Sequence, residues 1–160
     1  MRGINPEQLG FSLVELLAVV VIMSILATIG LPLMELSQRR SQEEDLRRSL
    51  RGIRTALDQY KRLVDTGRVA QEAGGSGYPA RLEVLVAGVV DAQSPKGAKL
   101  YLMRQLPRDP MAPLGQAEAD TWSLRSYDSP PDDPKPGKDV FDVHSKSTAL
   151  GLNGVPYRLW

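Results

Sequence analysis

Leu9-Gly10-Phe11-Ser12-Leu13-Val14-Glu15-Leu16-Leu17 opens a run of residues that stays apolar as far as Met34. Between Phe11 and Met34 the only ionisable side chain is Glu15. A short polar leader ending in Gly10 precedes the run, and a strongly charged segment follows it. A helix needs about 20 apolar residues to cross a bilayer, and this run supplies them. It is not built like a cleaved secretory signal. The glycine that closes the leader comes before the apolar run, and Ala27-Thr28-Ile29-Gly30 is the nearest approach to a small-residue cleavage site at its far end. Basic residues do not orient the span, because Arg2 lies before it and Arg39 and Arg40 just after.

Glu15 is the informative residue of the run. A carboxylate inside a membrane span is costly and usually has a partner. A simpler reading places it near the interface, where a negative charge suits the start of a helix. Further along, Pro32 removes a backbone donor and crowds the preceding turn. With Gly30 beside it, the helix is expected to bend or loosen near Thr28–Pro32. The alternative is a plain helix end at Pro32.

The stretch Gly10-Phe11-Ser12-Leu13-Val14-Glu15-Leu16-Leu17 resembles the processing and assembly signal of type IV pilins and of the pseudopilins of type II secretion. The resemblance implies cleavage between Gly10 and Phe11 by a membrane peptidase that also methylates the new terminus at Phe11. It makes Glu15 the fibre-assembly residue and Gly30 and Pro32 the helix-loosening pair. The physical logic agrees. A new α-ammonium at Phe11 would be buried among apolar helices in a fibre, and Glu15 of a neighbouring subunit offers the matching charge. Either charge left buried and unpaired would cost several kcal/mol. Head-to-tail contacts that do not close make a filament.

From Glu35 to about Asp65 the chain turns polar but periodic. Leu46, Leu50, Ile53, Leu57, Tyr60 and Val64 recur at alternating spacings of four and three, one face of a helix. Arg47, Arg48, Arg51, Arg54, Asp58 and Arg62 fall on the other face. Glu43, Glu44 and Asp45 each precede an arginine by three or four residues, giving surface pairs. Acidic residues interleave with the arginines and the formal net charge is only +1, so a nucleic-acid partner is not expected. Gly52 would permit close packing, and Gly67 would cap the helix.

The remainder reads as one small domain. Ala73–Gly77 is expected to be a flexible connector, and Tyr78–Val86 a short helix with Pro79 in its first turn, ended by Gly88. Lys99–Met103 is a strand or extended segment, and Leu106–Met111 a loop stiffened by two prolines. Trp122–Tyr127 and Asp139–Ser145 read as strands paired in a hairpin across a loop, Asp128–Gly137, that holds four prolines. Trp122, Tyr127 and Phe141 are assigned to the core of this sheet. The tail from Thr148 to Trp160 is irregular. With no cysteine in 160 residues, disulfides, zinc ribbons, iron–sulfur centres and thiol catalysis are excluded.

Tyr78-Pro79, Leu82–Leu85, Leu106–Pro110, Trp122, Arg125-Ser126 and Asp139–Ser145 together resemble the major, G-type pseudopilin of type II secretion. The implied fold is α+β and type IV pilin-like: a long N-terminal helix, transmembrane in its first half, packed on a small antiparallel sheet with irregular loops. The implied divisions are a leader at 1–10, a transmembrane assembly segment at 11–34, an amphipathic continuation at 35–72 and a periplasmic globular region at 73–160. The implied function is a subunit of the secretion pseudopilus that drives protein export across the outer membrane, held in the inner membrane by a single pass. The alternative is a subunit of a type IV or competence pilus. The implied partners are further copies of the chain, minor pseudopilins, the prepilin peptidase and methyltransferase, and the inner-membrane assembly platform.

Many G-type pseudopilins carry an acidic C-terminal calcium loop, but here Ala149–Gly154 has no acidic residue. Calcium takes about six to eight oxygens, usually with carboxylates among them. The candidates are earlier, at Asp128, Asp132, Asp133, Asp139 and Asp142, and are read as a solvated loop. No metal ligand and no cofactor is assigned, and calcium stays open as the alternative. No catalytic motif occurs, and His144, the only histidine, sits in a strand pattern facing away from Phe141 and Val143. The chain is read as a non-enzyme.

Mass spectrometry of the mature protein is expected to find a terminus at N-methylated Phe11. An intact Met1, or a start after Gly30, would overturn the processing assignment.

Overall fold

The computed structural model describes residues 12–71 and 73–160, the side chains of 29–32 excepted. The assignments made to Gly10 and Phe11 therefore lie outside the described residues, whereas the backbone at Gly30 and Pro32, assigned to helix loosening, is described and is helical. The chain divides between Arg39 and Arg40 into two compact units. Helix α1 runs over Leu13–Asp65, so it does not end at Pro32.

The second unit is organised by the amphipathic face of α1. Leu46, Leu50, Ile53 and Leu57 are all buried to 2 % exposure or less. Ala56 joins them, and Tyr60 packs at the edge. Against this stripe pack Leu82, Leu85, Trp122, Val140, Val143 and Tyr157. Apolar burial of this kind is worth about 25 cal/mol per Å² and supplies the main driving force. The helix closes as the sequence predicts at Gly67, whose φ of 69° suits glycine. Gly67 N–H donates to the Val64 carbonyl (2.9 Å) and Arg68 N–H to that of Leu63 (2.8 Å), the paired bonds of a Schellman cap. Gly52 is exposed, with only the Met103 side chain at ordinary contact distance, so close packing does not require it.

The expected α+β architecture is present, with its strands in two small antiparallel sheets rather than one. β1 (Val89–Val90) pairs with β2 (Lys99–Leu100). β3 (Trp122–Arg125) pairs with β4 (Asp142–Ser145), in the register Trp122 to Ser145 and Leu124 to Val143. The expected hairpin is therefore correct, but β4 is shorter than Asp139–Ser145. Val140 N–H donates instead to the Pro79 carbonyl (2.8 Å). That use of the Pro79 carbonyl also explains why the expected helix over Tyr78–Val86 shrinks to α2 (Val84–Ala87). Pro79 is buried in irregular chain between bends instead of opening a helix.

Two further expectations need correction. Tyr127 is 56 % exposed and Phe141 half-buried, so only Trp122 of the three aromatics is in the core. The alternation ends with β3 at Arg125, and beyond it Tyr127, Phe141 and Tyr78 form an aromatic cluster of their own, with Phe141 edge-on to Tyr78 at 5.0 Å. The glycine-rich stretch at 73–77 is a tied turn rather than a loose connector. Gln71 donates to the Gly75 carbonyl (2.6 Å) and Ser76 Oγ to Asp139 Oδ2 (2.5 Å).

Arg54, assigned by periodicity to the polar face, reaches across to the sheet. Its Nε donates to Asp142 Oδ1 (2.8 Å), and one terminal nitrogen donates to the carbonyls of Val143 and Trp160, each at 3.0 Å. The substitution Arg54→Met is expected to destabilise the domain by about 2 kcal/mol, because it strips charged donors from partly buried acceptors. Urea unfolding of the detergent-solubilised chain, followed by the near-ultraviolet circular dichroism of its two tryptophans, Trp122 and Trp160, measures this. An unchanged midpoint would show the clamp to be idle.

Candidate functional site

The first turns of α1 are the candidate site. Ser12 begins the helix. Its side-chain oxygen accepts from Val14 N–H (3.3 Å) and its carbonyl from Leu16 N–H (3.1 Å), so it acts as an N-cap. Glu15 follows three residues later, and Ser-Leu-Val-Glu is a capping-box sequence. That signal was legible in the sequence and gives Glu15 a second local reason to sit in the first turn, beyond the helix dipole. Its carboxylate is exposed there.

From Leu16 to Met34 the side chains are apolar apart from two hydroxyls. The large apolar side chains from Leu13 to Met34 that the structure describes are exposed by 46 % at Val19 to 75 % at Leu13. The two hydroxyls in this stretch turn back on the helix, Ser24 Oγ donating to the Val20 carbonyl (2.7 Å) and Thr28 Oγ1 to that of Ser24 (2.8 Å). Among the described residues this is the one helix long and apolar enough to cross a membrane. A helix apolar on every side needs an apolar covering, either lipid or other helices.

The second unit holds its polar groups in closed sets. Asp109 is fully buried, taking Ser145 Oγ (2.6 Å) and Met111 N–H (2.8 Å). Asp139 takes Ser76 Oγ, Ser126 Oγ (2.9 Å) and Tyr127 N–H (2.8 Å). Burial pushes the Asp139 carboxyl up, but these donors outweigh it and hold the group below the ordinary 3.8. Glu43, expected on the surface beside an arginine, is buried. Its Oε1 accepts from Leu152 N–H (2.6 Å) and Tyr157 OH (3.0 Å), while Arg47 stands 3.9 Å from Oε2. Glu43 lies three residues before Leu46 and continues the three-and-four spacing of the core stripe, a signal that marks its position as inward. What that spacing does not show is its donors, which come from more than a hundred residues away.

Of the acidic residues weighed for calcium, Asp142 bridges Arg54 and Arg125, Asp139 is bound as described, and Asp133 pairs with Lys135 at 2.6 Å. Asp128 and Asp132 are exposed. Among the described residues no group of three Asp, Glu or His side chains converges on one point. His144 faces away from the core beside Val143, paired in register with Ser123.

Residues 6–31 match the family profile of the prokaryotic N-terminal methylation motif. Type II secretion system core protein G of Klebsiella michiganensis is 30 % identical to this chain over 110 residues, covering 66 % of this chain and 70 % of that protein. No solved structure matches.

Partial burial lowers the His144 pKa from 6.5, with Arg54 and Arg125 adding to the effect and Asp142 opposing it. The folded state therefore binds this proton less readily than the unfolded chain. Stability from this group is complete above pH 6.5 and is lost as pH falls through the depressed folded value. Urea midpoints are expected to decline from pH 7 toward pH 5, and His144→Gln is expected to flatten that decline. An identical pH profile in the variant would contradict it.

Proposed function

The chain belongs to the core protein G family of type II secretion, a family of type IV pilin-like pseudopilins, and from this premise we propose that it is a structural subunit of the secretion pseudopilus. It is held in the inner membrane by one pass of α1, with the second unit in the periplasm. It assembles through the first turns of α1 and, as a filament, drives folded proteins across the outer membrane. Its partners are further copies of itself, minor pseudopilins, the peptidase that cuts after Gly10 and methylates Phe11, and the inner-membrane assembly platform. It has no catalytic role.

The observation that carries this reading is the bare apolar surface of α1 with its single carboxylate. In a bilayer that surface is covered by lipid tails. On assembly it is covered by equivalent helices, so little apolar free energy separates the two states, and polar contacts decide register. Glu15 is the group available for that purpose. Processing at Phe11 supplies an α-ammonium four residues before it, and an ammonium and a carboxylate on neighbouring subunits neutralise each other where either alone would be costly. Gly30 and Pro32 loosen the helix as subunits pack. A related core protein and a matching methylation motif support the same assignment.

Glu15→Ala is expected to reduce incorporation into cross-linkable filaments, and secretion with it, by at least about tenfold, equivalent to roughly 1.4 kcal/mol. The near-ultraviolet spectrum of the second unit should not change. Secretion at the unsubstituted level by that variant would sink the assembly role.

A further inference from the structure

The second unit carries a surface that its own core does not use. Leu150, Leu152, Val155 and Leu159 are exposed by 57 %, 42 %, 39 % and 64 % within a single stretch of ten residues. Val155 and Leu159 border a groove of about 350 Å³ whose other wall is α1, with Arg47, Leu50, Arg51 and Arg54. Trp160 floors it, with the Arg47 guanidinium 4.4 Å from the centre of its ring and its indole N–H donating to the Val155 carbonyl (3.2 Å). Glu43 fixes the loop in place through Leu152 N–H and Tyr157 OH. The backbone of Leu152 is therefore tied to a buried carboxylate while its side chain stays exposed.

We infer that this groove and the leucines beside it dock on the anionic phosphate headgroups of a lipid surface. Three observations select that occupant. Arg47, Arg48, Arg51 and Arg158 outnumber the exposed acidic side chains of the same turns, Glu44 and Asp45, of which Asp45 is already 3.2 Å from Arg48. Guanidinium forks match phosphate oxygens in geometry as well as charge. The groove, of about 350 Å³, has room for a phosphate headgroup. Leucines with a tryptophan and arginines at their edge are also the composition of an interfacial surface. The docking rests on the membrane-anchor reading above, since that reading is what keeps a bilayer within reach.

The chain has no cysteine, so Ala149→Cys, at an exposed position, takes a single polarity-sensitive dye. The full chain is reconstituted in vesicles of phosphatidylcholine alone and of phosphatidylcholine with one-third phosphatidylglycerol. The dye is expected to shift to the blue in the anionic vesicles only. Arg51→Gln and, separately, Leu159→Asn are expected to reduce that shift several-fold, with near-ultraviolet spectra confirming the fold of each. Equal emission in both vesicles overturns the docking, as does a shift that follows the protein-to-lipid ratio, which would mean that a second copy covers the patch. Alkaline extraction scores the anchor separately. A chain that resists extraction but shows no anionic shift fails the docking alone, and a chain that is extracted fails the anchor reading together with the docking that depends on it.

Discussion

An all-round apolar helix has no stable place in water, and the first half of α1 is such a helix. Its large apolar side chains from Leu13 to Met34, among the described residues, are all exposed. Lipid can cover them, and so can copies of the same helix, at nearly equal free energy. That near-equality lets one segment serve both as an anchor and as the core of a fibre. It also means that hydrophobicity cannot select between neighbours or fix their register. Only a polar group can do that, and among residues 11–34 the ionisable one is Glu15.

The second half of the same helix solves the opposite problem. Its apolar residues form a stripe, and the rest of the second unit folds onto that stripe. The unit is small, has short strands and no disulfide, so polar contacts do much of the tying between its loops. Asp109 ties the proline-stiffened loop to the end of β4, Asp139 ties the glycine-rich turn to the loop after β3, Glu43 ties the C-terminal stretch to α1, and Arg54 ties α1 to β4. In each case a buried or half-buried charge is met by several donors or acceptors, which is the condition under which such burial is tolerated. These contacts also set the direction of neighbouring groups. Glu43, for one, fixes the backbone at Leu152, whose side chain is exposed.

The sequence by itself determined the long helix, its change from all-round apolar to amphipathic, the core stripe from Leu46 to Val64, the cap at Gly67 and the pairing of the strands around Trp122 and Val143. Each of these depends on periodicity or on local backbone chemistry, which are readable within a few residues. The family resemblance of Gly10 to Leu17 was legible for the same reason. What only the tertiary structure decided is where polar side chains go when their partners are distant. Arg54 sits where a helical wheel reads solvent, and Glu43, a charge at a position in the apolar stripe, gives no sign of what would satisfy it; both are held by acceptors and donors that arrive from residues 142–160. Pro79 was read as a helix opener, but its carbonyl is claimed by Val140, and the helix begins later. Periodicity reports the apolar free energy of one segment against an average surrounding. A hydrogen bond across a hundred residues is a property of two segments together, and no local pattern carries it.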